Sequence, residues 1–350
     1  MEENKLSGEY YYNLKGYISA SLLKEISSSP FNAKSMLNGE KKETKALDFG
    51  SLVDCLLTTP ERFSQDYVIY NGKAPTDKML LLAKDYIRKY LTLSETTAEP
   101  DEESIALSSR AEVGYDSRLK NETFLAKFAD EALPYCNFCI AYKDKIIIDN
   151  ETYEHAASMV DQAKNSPFLK KIFKPESNVK VLFQVPLYAV TSKFSAKCLF
   201  DCIIIDFDDQ TITPIDFKTY EDNFVSNYWK YKYYYQEAWY SLILNIIRNS
   251  FELSFETVPE LEEVIKSFVI QQFEFVALDK TLARTPIIYK TYEKLHEDLF
   301  EEGVINKGIF DIVRVKSITY LIEELIVRNH IDNWEDDFDM LNKGYKHVWL

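Results

Sequence analysis

Residues 198–219 read Cys198-Leu199-Phe200-Asp201-Cys202-Ile203-Ile204-Ile205-Asp206-Phe207-Asp208-Asp209-Gln210-Thr211-Ile212-Thr213-Pro214-Ile215-Asp216-Phe217-Lys218-Thr219. Two runs rich in β-branched and aromatic residues flank the polar triplet Asp208-Asp209-Gln210, so residues 196–207 and 211–218 read as strands joined in a hairpin. One acid, Asp201, interrupts the first apolar run, where a carboxylate is costly to bury unless something pairs with it. In the second run, the period of two puts Asp216 and Lys218 on one face and turns Phe217 to the core. Pairing through the turn brings Asp201 and Asp216 toward one end of the hairpin.

Two carboxylates and a backbone carbonyl, that of Phe217, make a hard-oxygen seat for Mg²⁺, which keeps most of its waters. Lys218 can orient water and stabilise the charge that builds on a phosphate. The chemistry that suits this set is hydrolysis of a phosphodiester. The triplet Asp216-Phe217-Lys218 taken alone reads more often as a weak exposed ion pair. Asp201 on the partner strand shifts that balance.

Outward from the hairpin, residues 179–190 form a strand before it and residues 223–248 a long helix after it. The helix carries the apolar stripe Trp229, Tyr233, Tyr240, Leu244 and Ile247, with the amide Gln236 in its middle. Gln236 and Tyr240 lie one turn apart and face the same way, and an amide on a core-facing stripe requires a partner. The mixture of Lys and aromatic residues at 228–235 also suits contact with DNA. A fourth strand is expected at 266–277 and helices at 287–300 and 317–328. Toward the N-terminus, Ser19 caps a helix over 20–27 that Ser28-Ser29-Pro30 ends, and a second helix covers 46–57. Residues 78–130 look helical with a polar break at 94–103, and 151–165 is a further amphipathic helix. The order helix, three strands, helix, strand is that of an α/β sandwich.

The 350-residue chain has 46% hydrophobic and 28% charged residues, an ordinary globular composition. Its apolar runs fall short of the roughly 20 residues that cross a bilayer, and Met1-Glu2-Glu3-Asn4-Lys5 lacks the start of a signal peptide. The expectation is a soluble protein of the cytoplasm. A net charge of −15 weighs against nucleic acid, although a metal site brings carboxylates of its own and a groove can be locally positive. The five cysteines, at 55, 136, 139, 198 and 202, do not form a disulfide framework and read as reduced core residues. A thiolate-bound metal is the minor alternative.

Asp201, then Asp216-Phe217-Lys218, then Gln236-Glu237-Ala238-Trp239-Tyr240 resemble the D, (D/E)-x-K and Q-x-x-x-Y motifs of RecB-type PD-(D/E)XK nucleases. Residues 18–24, Ser29-Pro30, 46–54 and 56–63 are similar to the start of phage RecE-like (exonuclease VIII) domains. The resemblance covers 17–70 and about 150–300. It implies a central mixed β-sheet flanked by helices, with helical additions at both ends of the chain. Read so, the chain is a single nuclease-like domain: an N-terminal helical part (1–75), a helical insertion (76–150), a catalytic sheet core (151–280) and a C-terminal helical cap (281–350).

The resemblance also implies Mg²⁺ or Mn²⁺ dependence and degradation of linear double-stranded DNA from an end. A ring-shaped homo-oligomer and a single-strand annealing protein as partner go with it, in the host cytoplasm if the gene is a phage's. Asp201 and Asp216 would hold metal, Lys218 would be the catalytic lysine, and Gln236 and Tyr240 would support the site or the DNA. Two positions depart from the pattern. Asp54 stands where the family usually has His, and either substitutes as a metal ligand or is a helix-surface acid. Gln184 stands where an acid is common on the strand before the hairpin. Both leave open an inert protein on the same fold that binds DNA or a partner. An iron–sulfur nuclease is the third reading, prompted by Cys136 and Cys139, but no cysteine follows Cys202 to complete a cluster.

Overall fold

The computed structural model describes residues 8–39, 45–97, 99–249, 259–291, 295–306, 312–335 and 337–343. They fall into two compact units, one of residues 1–58 and 159–350 and one of residues 59–158, a range that brackets the 76–150 segment read as an insertion. The first unit opens with helices α1 (Gly8–Asn13), α2 (Ala20–Ser28), α3 (Pro30–Leu37) and α4 (Lys45–Thr58). Ser19 caps α2, its hydroxyl accepting from the Leu22 N–H at 3.3 Å, and Pro30 starts α3 where its missing N–H costs nothing.

In the second unit, α5 (Phe63–Asp66), α6 (Asp77–Ser94), α7 (Glu102–Val113), α8 (Asn121–Glu131) and α9 (Leu133–Ala141) accompany a parallel pair of short strands, β1 (Tyr67–Tyr70) and β2 (Ile146–Asp149). Leu82, Tyr86, Phe124, Phe128 and Cys136 fill its own small core. The polar 94–103 stretch separates α6 from α7, with Asp101 capping the latter.

Helix α10 (Asn150–Asn165) returns the chain to the first unit, followed by α11 (Lys170–Phe173) and the strands β3 (Val179–Val190), β4 (Ser195–Asp206) and β5 (Thr211–Tyr220). Next come α12 (Phe224–Lys230), α13 (Tyr233–Asn249), α14 (Pro259–Ser267), β6 (Val269–Ile270), β7 (Glu274–Asp279), β8 (Ile287–Lys290) and α15 (Leu295–Glu301). The short pair β9 (Val304–Asn306) and β10 (Ile312–Arg314) precedes α16 (Ile318–Ile331) and α17 (Phe338–Lys343).

The main sheet has the order β3-β4-β5-β7-β8, with β6 also on β5. It is mixed: β3, β4 and β5 run antiparallel, β5 and β7 parallel, and β7 and β8 antiparallel. A parallel neighbour cannot follow through a tight turn, and the helices α12 to α14 make that crossover. On one face, Leu23 and Ile26 of α2 and Trp239 and Ile243 of α13 join Phe200, Ile203 and Phe275 of the sheet in a single apolar core. The buried Trp239 indole donates to the Lys197 carbonyl at 3.2 Å. Glu237 accepts from the Tyr228 hydroxyl at 2.9 Å, and burial pushes its carboxyl up to about 8, which favours the neutral form.

Three elements differ from the sequence expectation. The 223–248 helix is two, because Lys232 adopts a left-handed φ of 53° and turns a corner between α12 and α13. Its ammonium is tied there to the hydroxyls of Ser27 and Ser28, each at 2.8 Å. The 266–277 strand starts later, since Glu262 and Lys266 pair at 2.7 Å across a helical turn and the polar Gln271-Gln272 separates β6 from β7. The 287–300 helix begins as β8, because the β-branched Ile287 and Ile288 supply the pairing that β7 needs on its outer edge. The C-terminal segment is therefore partly β rather than a wholly helical cap. No helix of the described residues is long and apolar enough to cross a membrane.

Replacing Trp239 with Ala should cost about 3–5 kcal/mol in denaturant unfolding, through the cavity and the orphaned Lys197 carbonyl. Gly50, inside α4, faces β5 with room to spare: a Cβ there would sit 3.7 Å from Thr219 Oγ1, an ordinary contact. Gly50→Ala should therefore stabilise by up to about 1 kcal/mol, read as a higher midpoint in the same titration.

Candidate active site

The β4–β5 ladder pairs residue by residue from Asp206↔Thr211 to Cys202↔Ile215 and stops there. One step further, the register sets Asp201 beside Asp216. Instead of a ladder bond, the Asp201 side chain takes the next amide, with the Phe217 N–H donating to Oδ2 at 2.8 Å. Beyond this point β5 pairs only with β7, from Ile215↔Glu274 to Tyr220↔Asp279. The strands part, and the carboxylates sit at the fork.

On the other side of Asp201, the pairs Phe183↔Cys202 and Val185↔Phe200 put Gln184 opposite it. Gln184 has φ 51°, a left-handed conformation in mid-strand for which a non-glycine residue requires compensating contacts. Those contacts are on α4. The Gln184 amide donates to both oxygens of Asp54, at 3.2 and 3.0 Å, and to the Thr58 hydroxyl at 3.1 Å. The two positions that depart from the family pattern are thus hydrogen-bonded to each other. Gln184, Asp201 and Asp216 cross the sheet in one line, with Asp54 brought onto it from the helix.

Asp216 is almost fully buried and is held from two sides. The Gln236 amide of α13 donates to Oδ1 at 2.6 Å, and Oδ2 is met by the Lys218 charge. Gln236 completes a chain by accepting from Lys24 of α2 at 3.0 Å. This is the partner that an amide on an apolar stripe requires. Phe217 turns inward, its ring stacked on Phe173 at 6.2 Å, as the period of two demands. Tyr240 lies behind the carboxylates, its ring edge-on to Phe200 at 4.8 Å and only 7% exposed, so its place is in the wall of the site.

The electrostatics follow from crowding. Burial, then the charges of Asp216 and Asp54, hold the Asp201 carboxyl well above the usual carboxylate range. Burial and the charge of Asp216 push Asp54 up to about 6. Burial on its own lowers the Lys218 ammonium, but Asp216 and Asp201 outweigh it and hold the lysine charged. Lys24 moves the other way, down to about 7, through burial and the like charge of Lys218. Both lysines lie over the Tyr233 ring, Lys24 at 5.0 Å and Lys218 at 5.2 Å from its centroid.

Among the described residues no three His, Cys, Asp or Glu side chains form a ready-made metal cage. Cys198 and Cys202 are buried residues of β4, and burial raises both thiols. Burial likewise pushes Cys136 up to about 12 on α9. Three residues of the site went unmarked in the sequence. Thr58 and Tyr233 read as a helix end and a stripe member. Lys24 entered only as the last residue of the 18–24 stretch quoted for the resemblance.

A fold of this kind, a mixed sheet whose antiparallel hairpin carries Asp201, Asp216 and Lys218 behind a glutamine from the crossover helix, is that of the PD-(D/E)XK nucleases. Residues 19–258 match the family described as PDDEXK-like domain of unknown function (DUF3799), and the chain belongs to that family. None of the curated proteins matches it significantly. Among solved structures, it is similar to a protein from Eubacterium rectale provisionally named an exonuclease, at 13% identity and TM-score 0.43, covering 96% of this chain and 88% of that one.

The raised carboxyl of Asp54 has a thermodynamic consequence. Its neutral form is favoured in the folded state, so the stability this group contributes is fully present below about pH 4 and is lost as pH rises through about 6. Asn at this position keeps an oxygen for Gln184 and removes the charge. In a chelator, the melting temperature of Asp54→Asn should exceed that of the wild type by a margin that widens between pH 4 and 7 and is constant above it.

Proposed function

We propose that this protein is a metal-dependent nuclease that hydrolyses phosphodiester bonds of linear double-stranded DNA from an end. The observation that carries the reading is the fork between β4 and β5. Asp201, Asp216 and Lys218 converge there in a PD-(D/E)XK domain, clamped by Gln236. Duplex DNA, attack at its ends, a role in phage recombination with an annealing protein, and a ring-shaped assembly are drawn from the family resemblance of the motifs.

The donor set fits a small hard cation. Asp216 Oδ2 is buried and met by the Lys218 charge, and Asp201 and Asp54 are both destabilised as anions, by burial first and then by neighbouring carboxylates. Asp201, Asp216 and the Phe217 carbonyl would hold Mg²⁺ or Mn²⁺, with Asp54 close by on α4. When bound, a divalent cation supplies the Lewis acidity that activates water and neutralises phosphate charge.

The chain's own groups do the rest. Asp201, by accepting from the Phe217 N–H, fixes the backbone of β5 at the point of chemistry. Gln236 holds one oxygen of Asp216 and so presents the other. Lys218 is held protonated beside that oxygen, poised to stabilise the negative charge that grows on the phosphoryl oxygens in the transition state.

An inert DNA- or protein-binding domain is the contrary reading, and one contact favours it: both Asp54 oxygens are engaged by Gln184. The two readings part on one experiment. Purified protein with 5 mM Mg²⁺ or Mn²⁺ (about that concentration, as Mg²⁺ sites of few protein ligands require) should release nucleotides from linear duplex and spare closed circles. Asp216→Asn and Lys218→Met should each lower the rate by about 100-fold or more while retaining the wild-type circular dichroism spectrum. Undiminished release by both variants would remove the nuclease assignment from this site.

A further inference from the structure

Among the described residues, several lysines of this acidic chain meet a carboxylate directly: Lys34 meets Asp332, Lys89 meets Asp85, Lys171 meets Asp206, Lys290 meets Glu274 and Lys316 meets Glu324. Lys24 and Lys232 are held differently. Lys24 donates to the amide oxygen of Gln236, and Lys232 donates to the hydroxyls of Ser27 and Ser28. All three acceptors are neutral. Both lysines are partly withdrawn from water, where an ammonium without a counter-charge is costly.

The two belong to one row. Lys218 and Lys24 both lie over the same Tyr233 ring. Lys24 lies on α2 one turn before Ser27 and Ser28, the residues that fix Lys232. Lys232 in turn occupies the left-handed corner immediately before Tyr233. Burial, then the like charge of Lys218, lowers Lys24 against the pull of Asp216, and burial, then Lys316, lowers Lys232 against that of Glu25. Asp216 offsets one of the two charges at Tyr233, not both. Cations kept together by neutral oxygens, and leading away from a site for phosphoryl chemistry, are short of an anion.

We propose that Lys24 and Lys232 bind successive backbone phosphates of the DNA strand that enters the site, with Tyr233 as the platform between Lys24 and Lys218. The proposal rests on the nuclease reading and adds to it the path of the substrate. Gln236 then has two duties: its N–H holds Asp216, and its carbonyl holds the first phosphate anchor. The row also explains how a chain of net charge −15 would approach DNA, through a short positive track rather than a basic surface.

The test is the binding of a fluorescent linear duplex by wild type, Lys24→Met, Lys24→Arg, Lys232→Ala and, as a control at the β3–β4 turn, Lys193→Ala. Anisotropy is read with Ca²⁺ in place of Mg²⁺, between 50 and 200 mM KCl (roughly the span over which phosphate contacts are lost). Lys24→Met and Lys232→Ala should each weaken Kd several-fold and reduce the slope of log K against log salt by about one. Lys24→Arg and Lys193→Ala should keep the wild-type slope. Losses should be equal for duplexes ending in a 5′-hydroxyl or a 5′-phosphate, because the contact is to the backbone. A loss confined to the 5′-phosphorylated duplex overturns the proposal, as does an equal loss in Lys193→Ala. Wild-type Kd and slope in both Lys24→Met and Lys232→Ala, with a wild type that degrades DNA, overturn the anchors and leave the nuclease reading standing. A wild type that neither binds nor degrades DNA overturns that reading, and the anchors with it. Should Lys24→Met not fold, Lys232→Ala decides alone.

Discussion

The contact on which the rest depends is the bond from Gln236 to Asp216. A carboxylate nearly sealed from water, beside two further carboxylates, is a costly feature of any fold. It persists because its own strand and two helices distant in sequence are fastened to it. The crossover helix α13 supplies the amide, the strand β5 supplies Lys218, and α2 supplies Lys24, which holds the far end of the same amide. The core beneath, around Trp239, Ile243 and Phe200, fixes the height of α13 over the sheet and hence the reach of Gln236. Packing and chemistry are joined at one side chain.

A second constraint is the end of the β4–β5 ladder. Sheet hydrogen bonds satisfy the backbone but leave no gap in which a reactant can sit. Here the ladder stops at Cys202↔Ile215, and the Asp201 carboxylate takes over the next amide. The backbone donor remains satisfied although the strands part. The left-handed Gln184 on the opposite side of Asp201 is the matching irregularity, held by its three contacts to Asp54 and Thr58. Irregular backbone collects where the side chains of function are.

Asp54 and Gln184, far apart in sequence, act as one unit in the structure. With an acid on the helix and an amide on the strand, donor and acceptor still meet, and the count of negative charges near Asp201 and Asp216 includes one from α4.

Much of the site was legible in the chain. Period-two alternation fixed the facing of Asp216, Phe217 and Lys218, and the turn at Asp208-Asp209-Gln210 fixed the pairing that brings Asp201 alongside. Helical spacing exposed Gln236 as an amide without a local partner. These are local regularities, with periods of two and 3.6 residues, and a linear sequence carries them in full. Lys24, the Asp54–Gln184 pair, the corner at Lys232 and the edge strand β8 were decided only by tertiary structure. Each depends on a partner outside its own element, as Lys24 depends on Gln236 and β8 on β7. A lysine one turn from two serines looks like a solvated face until another helix is laid across it. Which charges share a volume follows from how elements pack, and no periodicity in the chain encodes that.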